Sequence, residues 1–218
     1  MTWPAIVDLL PAFIEGSWVA VKLFFITLLF ALPLGLLLAF GRMSKWKAVS
    51  RSVAIFQYVI RGTPLMLQLV FVMYFPSLQL NISGFDRFTA ACVAFTINYA
   101  AYFSEIYRSG IESIPKGQYE AARVLGFSRA RTFLHIIWPQ TFKRILPPLG
   151  NEFMTLVKDT ALATAIGIIE LLRVAQNHMN RTGSMTPIVV ALVFYLIMNG
   201  MVNLFMNGLE RRFAYYKV

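Results

Sequence analysis

The chain has 218 residues, of which 58% are apolar and only 14% are charged. A soluble globular domain carries about 25% charged residues, so this composition leaves too little polar surface for one. The apolar content excludes a disordered chain, and the single cysteine, Cys92, excludes a disulfide scaffold. The composition therefore predicts an all-α, polytopic membrane protein. Its formal charge of +10 indicates either a nucleic-acid surface or basic cytoplasmic loops.

The first 16 residues are predicted to lie on the membrane surface. They contain Asp8 and Glu15 and no basic start, which argues against a signal peptide. Trp3 and Pro4 open the segment, and several apolar side chains could rest at the lipid interface. Residues 17–218 are predicted to form a single transmembrane domain.

Five segments are long and apolar enough to be read as transmembrane helices, which need about 20 residues each. They cover about residues 17–40, 53–75, 88–108, 146–172 and 185–207. The second and fourth are interrupted by charged residues, which are costly against lipid. We therefore expect these two spans to face protein or water inside the molecule.

The basic residues predict the orientation of these spans. If the N-terminus is outside, 14 of the 20 basic residues fall in cytoplasmic segments and three fall in outer loops. This asymmetry predicts an outer N-terminus and a cytoplasmic C-terminus. It also explains the net charge without nucleic acid, since no basic groove with interleaved aromatic residues occurs.

The break in the second span is the sequence Arg61-Gly62-Thr63-Pro64. It could be a simple helix entry, with an arginine at the interface and a proline in the first turn. Alternatively, Arg61, Gly62 and Pro64 could form a hinge that moves when a pore changes its open side.

Polar residues in the third span offer a second candidate site. Asn98 and Tyr102 are one turn apart and share a helix face, whereas Tyr99 lies about 100° away from Asn98. These side chains could join helices to one another or contact a transported substrate.

The fourth span carries the most informative cluster. Glu152 and Asp159 are seven residues apart and share a face, and Lys158 is displaced by about 100° from Asp159. The cluster could hold a broken helix together by internal ion pairs, or it could line a path for a zwitterionic substrate. The cluster consists of Asn151, Glu152, Lys158, Asp159 and Thr160.

The long loop of residues 109–144 is predicted to contain two short cytoplasmic helices. Good helix formers follow Pro115, and Gly126 ends the first helix as a C′ glycine. Ser128 is a candidate N-cap for the second helix, which Pro139 should stop or kink.

This loop resembles the EAA signature of permease subunits of bacterial ATP-binding-cassette importers. The matching residues are Glu120, Ala121, Ala122 and Gly126, followed by Ile136 and Pro139. Trp138 replaces the leucine that the family has before this proline. The resemblance implies that Glu120, Ala121, Ala122 and Gly126 dock onto an ATPase subunit.

Other segments resemble the permeases of histidine, glutamine, glutamate, arginine and cystine importers. They are Val59–Leu65 with Gln68, Ile145–Phe153, Lys158–Leu162 and Leu209–Arg212. The resemblance implies a type I importer permease fold and transport of polar amino acids by alternating access. It also implies a bacterial cytoplasmic membrane and a set of partners: an ATPase dimer, a second identical or sister permease and an extracytoplasmic binding protein.

No catalytic residues, cofactor or metal site are expected in this chain. It has one cysteine and two histidines, His135 and His178, which the topology places on opposite sides of the membrane. It has no phosphate-binding glycine loop, so ATP and Mg²⁺ should bind the partner ATPase. The alternatives are an importer of another small polar solute, an intramembrane enzyme acting on lipid, and a membrane scaffold or sensor.

Overall fold

A computed structural model describes residues 8–213 of the chain. We number the α-helices in chain order. They are α1 (Leu10–Arg42), α2 (Lys47–Gly62), α3 (Leu65–Gln79), α4 (Arg87–Glu112), α5 (Lys116–Val124), α6 (Arg129–Thr132), α7 (Trp138–Asp159), α8 (Leu171–Thr182) and α9 (Thr186–Phe213). A π-helical segment (Phe133–Ile137) joins α6 to α7, and a 3₁₀ helix (Thr160–Ile166) follows α7. Within the described range the fold is all-α, as the composition predicted.

Two of the described helices, α1 and α9, are long and apolar enough to cross a membrane. The pair α2 and α3 would form a third span if it is counted as one, although the two helices meet at 106°. The predicted second span is therefore a sharply bent pair and not one helix. Pro64 explains the bend, because it cannot donate to the ladder and it holds Thr63 in an extended conformation.

Helix α1 runs without interruption through residue 16, where the sequence suggested a boundary between an interfacial segment and the first span. Phe13 is fully buried and packs 5.8 Å from Phe194, ring centroid to ring centroid. A Cβ added at Gly16 would lie 3.0 Å from the backbone of Leu171 in α8. One face of residues 10–16, which includes Phe13 and Gly16, therefore packs against the helix bundle. Residues 1–7 lie outside the described range.

Helix α4 lies at the centre of the fold. Small side chains let α1 approach it closely, and a Cβ added at Gly35 would meet Phe103 at 2.8 Å. The side chain of Gln57 in α2 donates a buried hydrogen bond of 2.7 Å to Ser104. Because protein surrounds α4, it can carry more polar residues than a lipid-facing span.

The predicted fourth span, residues 146–172, is not a continuous helix. Helix α7 ends at Asp159, the 3₁₀ segment ends before Gly167, and α8 begins at Leu171. Glu170 caps α8 by accepting from the backbone N–H groups of Leu172 and Arg173 at 2.7 and 2.8 Å, and it accepts a third hydrogen bond from the Tyr195 hydroxyl. This fully satisfied carboxylate anchors the break to α9.

Pro139 does not stop the preceding helix. The π-helical segment Phe133–Ile137 lies directly before α7, and Pro139 occupies the first turn of that helix. Proline has no N–H to donate to the preceding turn, and the wider π turn before it changes the hydrogen-bond register there, so the chain stays helical through Pro139. Residues 129–159 are thus helical without a break, with a local change of winding at the π-helical segment.

Candidate functional site

A cavity of about 480 Å³ lies where the α2–α3 bend faces α4 and α7. A cavity of this size falls within the range of small-molecule sites, roughly 300–1,000 Å³. Both charged and aromatic side chains reach it. The lining residues are Arg61, Gly62, Thr63, Pro64, Leu65, Asn98, Tyr99, Tyr102, Glu152, Thr155, Asp159 and Leu162.

The structure brings together residues that the sequence placed in two separate candidates. The three hinge residues Arg61, Gly62 and Pro64 form one wall of the cavity, facing Asn98 and Tyr102 of α4. The guanidinium of Arg61 lies 5.3 Å from the centre of the Tyr102 ring. This distance is within cation–π range, so the bend and α4 are in direct contact through a charged side chain.

Gln68 holds the bend in place. Its amide nitrogen donates to the carbonyl oxygens of Ile60 and Thr63 at 2.7 and 3.1 Å and to the Thr63 hydroxyl at 2.9 Å. Its amide oxygen accepts from Asn98 Nδ2 at 3.0 Å. One side chain therefore satisfies carbonyls left open by the helix break and ties them to α4.

The carboxylates Glu152 and Asp159 line the opposite wall, as their shared helix face predicted. Asp159 Oδ2 accepts a 2.8 Å hydrogen bond from the hydroxyl of Tyr99. Among residues 8–213, Glu152 makes no hydrogen bond or ion pair with another described residue, whereas Arg108 pairs with Glu105 and Glu112. Internal ion pairing therefore does not account for the cluster in the fourth predicted span.

Three members of the predicted cluster lie outside this cavity. Asn151 is exposed. Lys158 lines a separate, largely apolar groove beside Tyr195 and Asn199 of α9, and the buried Thr160 faces Met198 and Met201. Each of the three is one residue away from Glu152 or Asp159 along the chain. Its side chain is therefore rotated by about 100° from the helix face that the two carboxylates share.

Sequence reasoning did not select Tyr99, Thr155 and Leu162 as site residues. Tyr99 was set apart because it lies about 100° from Asn98 on the helix, yet the cavity extends around more than one face of α4. Thr155 lies between Glu152 and Asp159 on the α7 wall, so the spacing that linked the two carboxylates could have identified it.

The loop between α4 and α7 forms a second candidate surface. Gly126 has φ of +76° and follows the C-cap Leu125, as a C′ glycine should, and Phe127 N–H donates to the Ala122 carbonyl. The Ser128 hydroxyl accepts from the Arg131 N–H and caps α6. Both predicted caps are present.

The residues expected to dock onto an ATPase differ in exposure. Glu120, Ala121 and Gly126 are exposed, whereas Ala122 is 1% exposed and packs inward. Val124 and Leu125, at 87% and 73% exposed, extend the apolar part of this surface. Tyr119 of α5 packs against Ile111, Ile114 and Ile137, and this burial raises its pKa.

No group of three or more potential metal ligands comes together among the side chains of residues 8–213. The cavity is lined by charges of both signs, Arg61 on one side and Glu152 and Asp159 on the other, as a site for a small polar molecule would be. The α5–α6 loop, by which we mean residues 116–132, offers an exposed surface with apolar Val124 and Leu125 beside basic Arg123, Arg129 and Arg131.

Residues 31–215 match the family model described as "Binding-protein-dependent transport system inner membrane component". The chain is 37% identical over 211 residues to the glutamine transport system permease protein GlnP of Escherichia coli, covering 96% of each chain. It is 35% identical to the L-cystine transport system permease protein TcyB of Bacillus subtilis, covering 94% of this chain and 88% of that one. It is 34% identical to the arginine transport system permease protein ArtQ of Bacillus subtilis, covering 97% of each.

Solved structures show the same fold. The chain superimposes on a subunit of an amino acid ABC transporter solved with histidines with a TM-score of 0.88 and 34% identity, covering 97% of this chain and 99% of that one. The fold is also that of the MetNI methionine ABC transporter, with a TM-score of 0.73 and 21% identity over 98% and 99% of the two chains. The fold is thus that of an ABC importer permease, and the chain belongs to the family of inner membrane components of binding-protein-dependent transport systems.

Proposed function

We propose that this chain is the permease subunit of an ATP-driven importer that moves polar amino acids across a bacterial cytoplasmic membrane by alternating access. The observation that carries the proposal is its similarity, over nearly the whole chain, to permease proteins of glutamine, cystine and arginine transport systems. The mixed-charge cavity supports it, because an amino acid brings both an ammonium and a carboxylate.

The chain crosses the membrane five times in this proposal, with its N-terminus outside. Helices α1 and α9 supply two spans and the bent α2–α3 pair a third. Helices α4 and α7 supply the remaining two; their polar residues are compatible with the membrane because protein or the cavity covers them. The positive-inside bias then puts the α5–α6 loop in the cytoplasm.

The α5–α6 loop is the proposed contact with a cytoplasmic ATPase dimer. The exposed surface of this loop includes Glu120, Ala121 and Gly126. Ala122 is buried and packs α5 against the rest of the permease. When the ATPase closes on ATP and Mg²⁺, it would pull this loop. The uninterrupted helical segment of residues 129–159 would transmit that movement to the cavity. The chain itself performs no chemistry and binds no cofactor.

A second permease subunit, identical or related, completes the pore. Helices α2 and α3, which line the cavity through Arg61, Gly62 and Leu65, also carry large exposed apolar side chains. Among them are Ile55, Leu67 and Phe71, at 64%, 62% and 58% exposed. An extracytoplasmic binding protein delivers the substrate to the outer opening. The bend at Arg61, Gly62 and Pro64 serves as the hinge that changes the open side.

Reconstitution tests this function. The chain is co-purified with its cognate ATPase and binding protein, placed in proteoliposomes, and assayed for ATP-dependent uptake of radiolabelled amino acids. Glu152→Ala and Asp159→Ala should each abolish uptake while the complex still assembles, and Glu15→Ala, which removes a carboxylate outside the cavity, should transport normally. Unchanged uptake in both cavity variants would overturn the proposed path, and absence of uptake of every polar amino acid would overturn the function.

A further inference from the structure

The cavity carries an uneven set of charges. Arg61 provides one cation, whereas Glu152 and Asp159 provide two carboxylates. Lys158 is the nearest basic residue along α7, but it is exposed in the separate groove against α9. The walls of the cavity thus carry one more negative charge than positive charge.

The surrounding side chains offset this excess only in part, because Lys158 interacts electrostatically with Asp159 but lies exposed outside the cavity. The one hydrogen bond to Asp159 comes from the neutral hydroxyl of Tyr99, and Glu152 has no hydrogen-bond or ion-pair partner within residues 8–213. Charges interact strongly where water is sparse, and an unpaired charge inside a membrane protein is costly. A bound cation would therefore be favoured in this cavity.

The two carboxylates are also well separated. Seven residues of α-helix place Glu152 and Asp159 about 10 Å apart along the axis of α7, with Thr155 between them on the same wall. Arg61 interacts electrostatically with Glu152. The cavity can thus meet a carboxylate and two separate cationic groups of one extended ligand.

Resting on the proposed function, we propose that this cavity selects amino acids with a cationic side chain, such as L-arginine and L-lysine, over neutral polar ones. Arg61 receives the α-carboxylate, one of the two carboxylates receives the α-ammonium, and the other receives the side-chain cation. A neutral amino acid leaves one carboxylate unpaired, and an acidic one adds a further negative charge.

A pair of ligands that differ in charge and little in shape tests this selectivity. L-citrulline carries a neutral urea group where L-arginine carries a guanidinium. Binding of both is measured on the purified permease–ATPase complex in nanodiscs without the binding protein, so that only the membrane site selects. We expect L-arginine to bind at least tenfold more tightly than L-citrulline.

Two isosteric variants locate the selectivity. One of Glu152→Gln and Asp159→Asn should bring the arginine-to-citrulline ratio close to one, while the other weakens both ligands alike, because the α-ammonium is common to both. Asp159→Asn retains an oxygen that can accept from Tyr99. Glu15→Gln, which removes an exposed carboxylate outside the cavity, should leave the ratio unchanged.

The outcomes separate this inference from the proposed function. Equal or tighter binding of L-citrulline by the wild-type complex would overturn the cationic selectivity and leave an amino acid importer in place. A ratio that stays the same in both cavity variants would also overturn it. If no amino acid binds the complex and none is taken up by the full transporter, the proposed function fails and the inference fails with it.

Discussion

The hydroxyl of Tyr99 in α4 donates a 2.8 Å hydrogen bond to Asp159 Oδ2, on the last residue of α7. Tyr99 is 1% exposed, so its ring is held firmly while its hydroxyl reaches the cavity wall. The chain changes from α-helix to 3₁₀ helix immediately after Asp159. The bond therefore positions a candidate ligand-binding carboxylate at the point where α7 ends.

The first prediction removes only this hydroxyl. Tyr99→Phe should lower uptake by about 10- to 100-fold, because a hydrogen bond to a charged group contributes about 1.5–3 kcal/mol. Uptake is measured in proteoliposomes over a range of substrate concentrations, and the loss should appear mainly as a raised KM because Asp159 is misplaced.

Tyr107→Phe is the matched control, because Tyr107 is also a buried tyrosine of α4. Its ring packs at a tilt against Trp138, and it does not line the cavity. It should transport like the wild type. Equal KM values for the two variants would show that the Tyr99 hydroxyl does not position Asp159.

The second prediction concerns the bend between α2 and α3. Gln68→Leu keeps the approximate volume but removes hydrogen bonds to Ile60, Thr63 and Asn98. Asn98 is buried, and a buried polar group left without a partner costs about 1–3 kcal/mol. We expect the angle between the two helices to become variable, which spin labels at the exposed Tyr58 and Leu78 would report as a broader distance distribution.

Gln79→Leu provides the control, because Gln79 is an exposed glutamine at the end of the same helix. Its distance distribution should match that of the wild type. An equally narrow distribution for Gln68→Leu would mean that Pro64 alone fixes the bend.

The sequence predicted the features that depend on neighbours along the chain. Gly126 and Ser128 were identified from local capping chemistry, and both caps are present. The break at Pro64 follows from its missing N–H. Helical periodicity alone placed Glu152 and Asp159 on one wall.

Features that depend on tertiary neighbours could not be predicted in this way. Lys158 lies outside the cavity because α9 covers that side of α7, and Tyr99 lines it because α7 approaches a second face of α4. The chain remains helical at Pro139 because a π-helical segment precedes it, and no residue pattern indicated that segment. Helix continuity through residue 16 depended on packing against Leu171, far away in sequence.

The third prediction tests the crossing of α4 and α7. A Cβ added at Gly110 would lie 2.2 Å from Cγ2 of Ile145 and 3.3 Å from Cγ2 of Thr141. Gly110→Ala should therefore lower the Tm of the purified protein, since overpacking of this kind costs about 1–3 kcal/mol. Fluorescence-detected size exclusion after heating measures the change.

Ile145→Leu removes the clashing methyl group and should restore part of the stability lost in Gly110→Ala. Two residues in contact should show such non-additivity in a double-mutant cycle. Gly200→Ala in α9, where an added Cβ meets nothing within 4 Å, should leave the Tm nearly unchanged. Additive effects of the Gly110 and Ile145 substitutions would contradict the close crossing.

The fourth prediction separates backbone strain from ATPase docking. Gly126 has φ of +76° in the α5–α6 loop, and Gly183 has φ of +62° at the end of α8. Nothing lies within 4 Å of a Cβ added at either glycine, so alanine strains only the backbone at both sites. The cost is about 1–2 kcal/mol in each case.

The two variants should lose similar thermal stability but differ in coupling. Gly126→Ala disturbs the proposed docking surface, so ATP hydrolysis by the complex should respond less to the liganded binding protein. Gly183→Ala lies on the opposite side of the membrane in the proposed topology and should retain that response. If both variants keep full stimulation despite their lower Tm, the α5–α6 loop is not the element that couples ATP hydrolysis to transport.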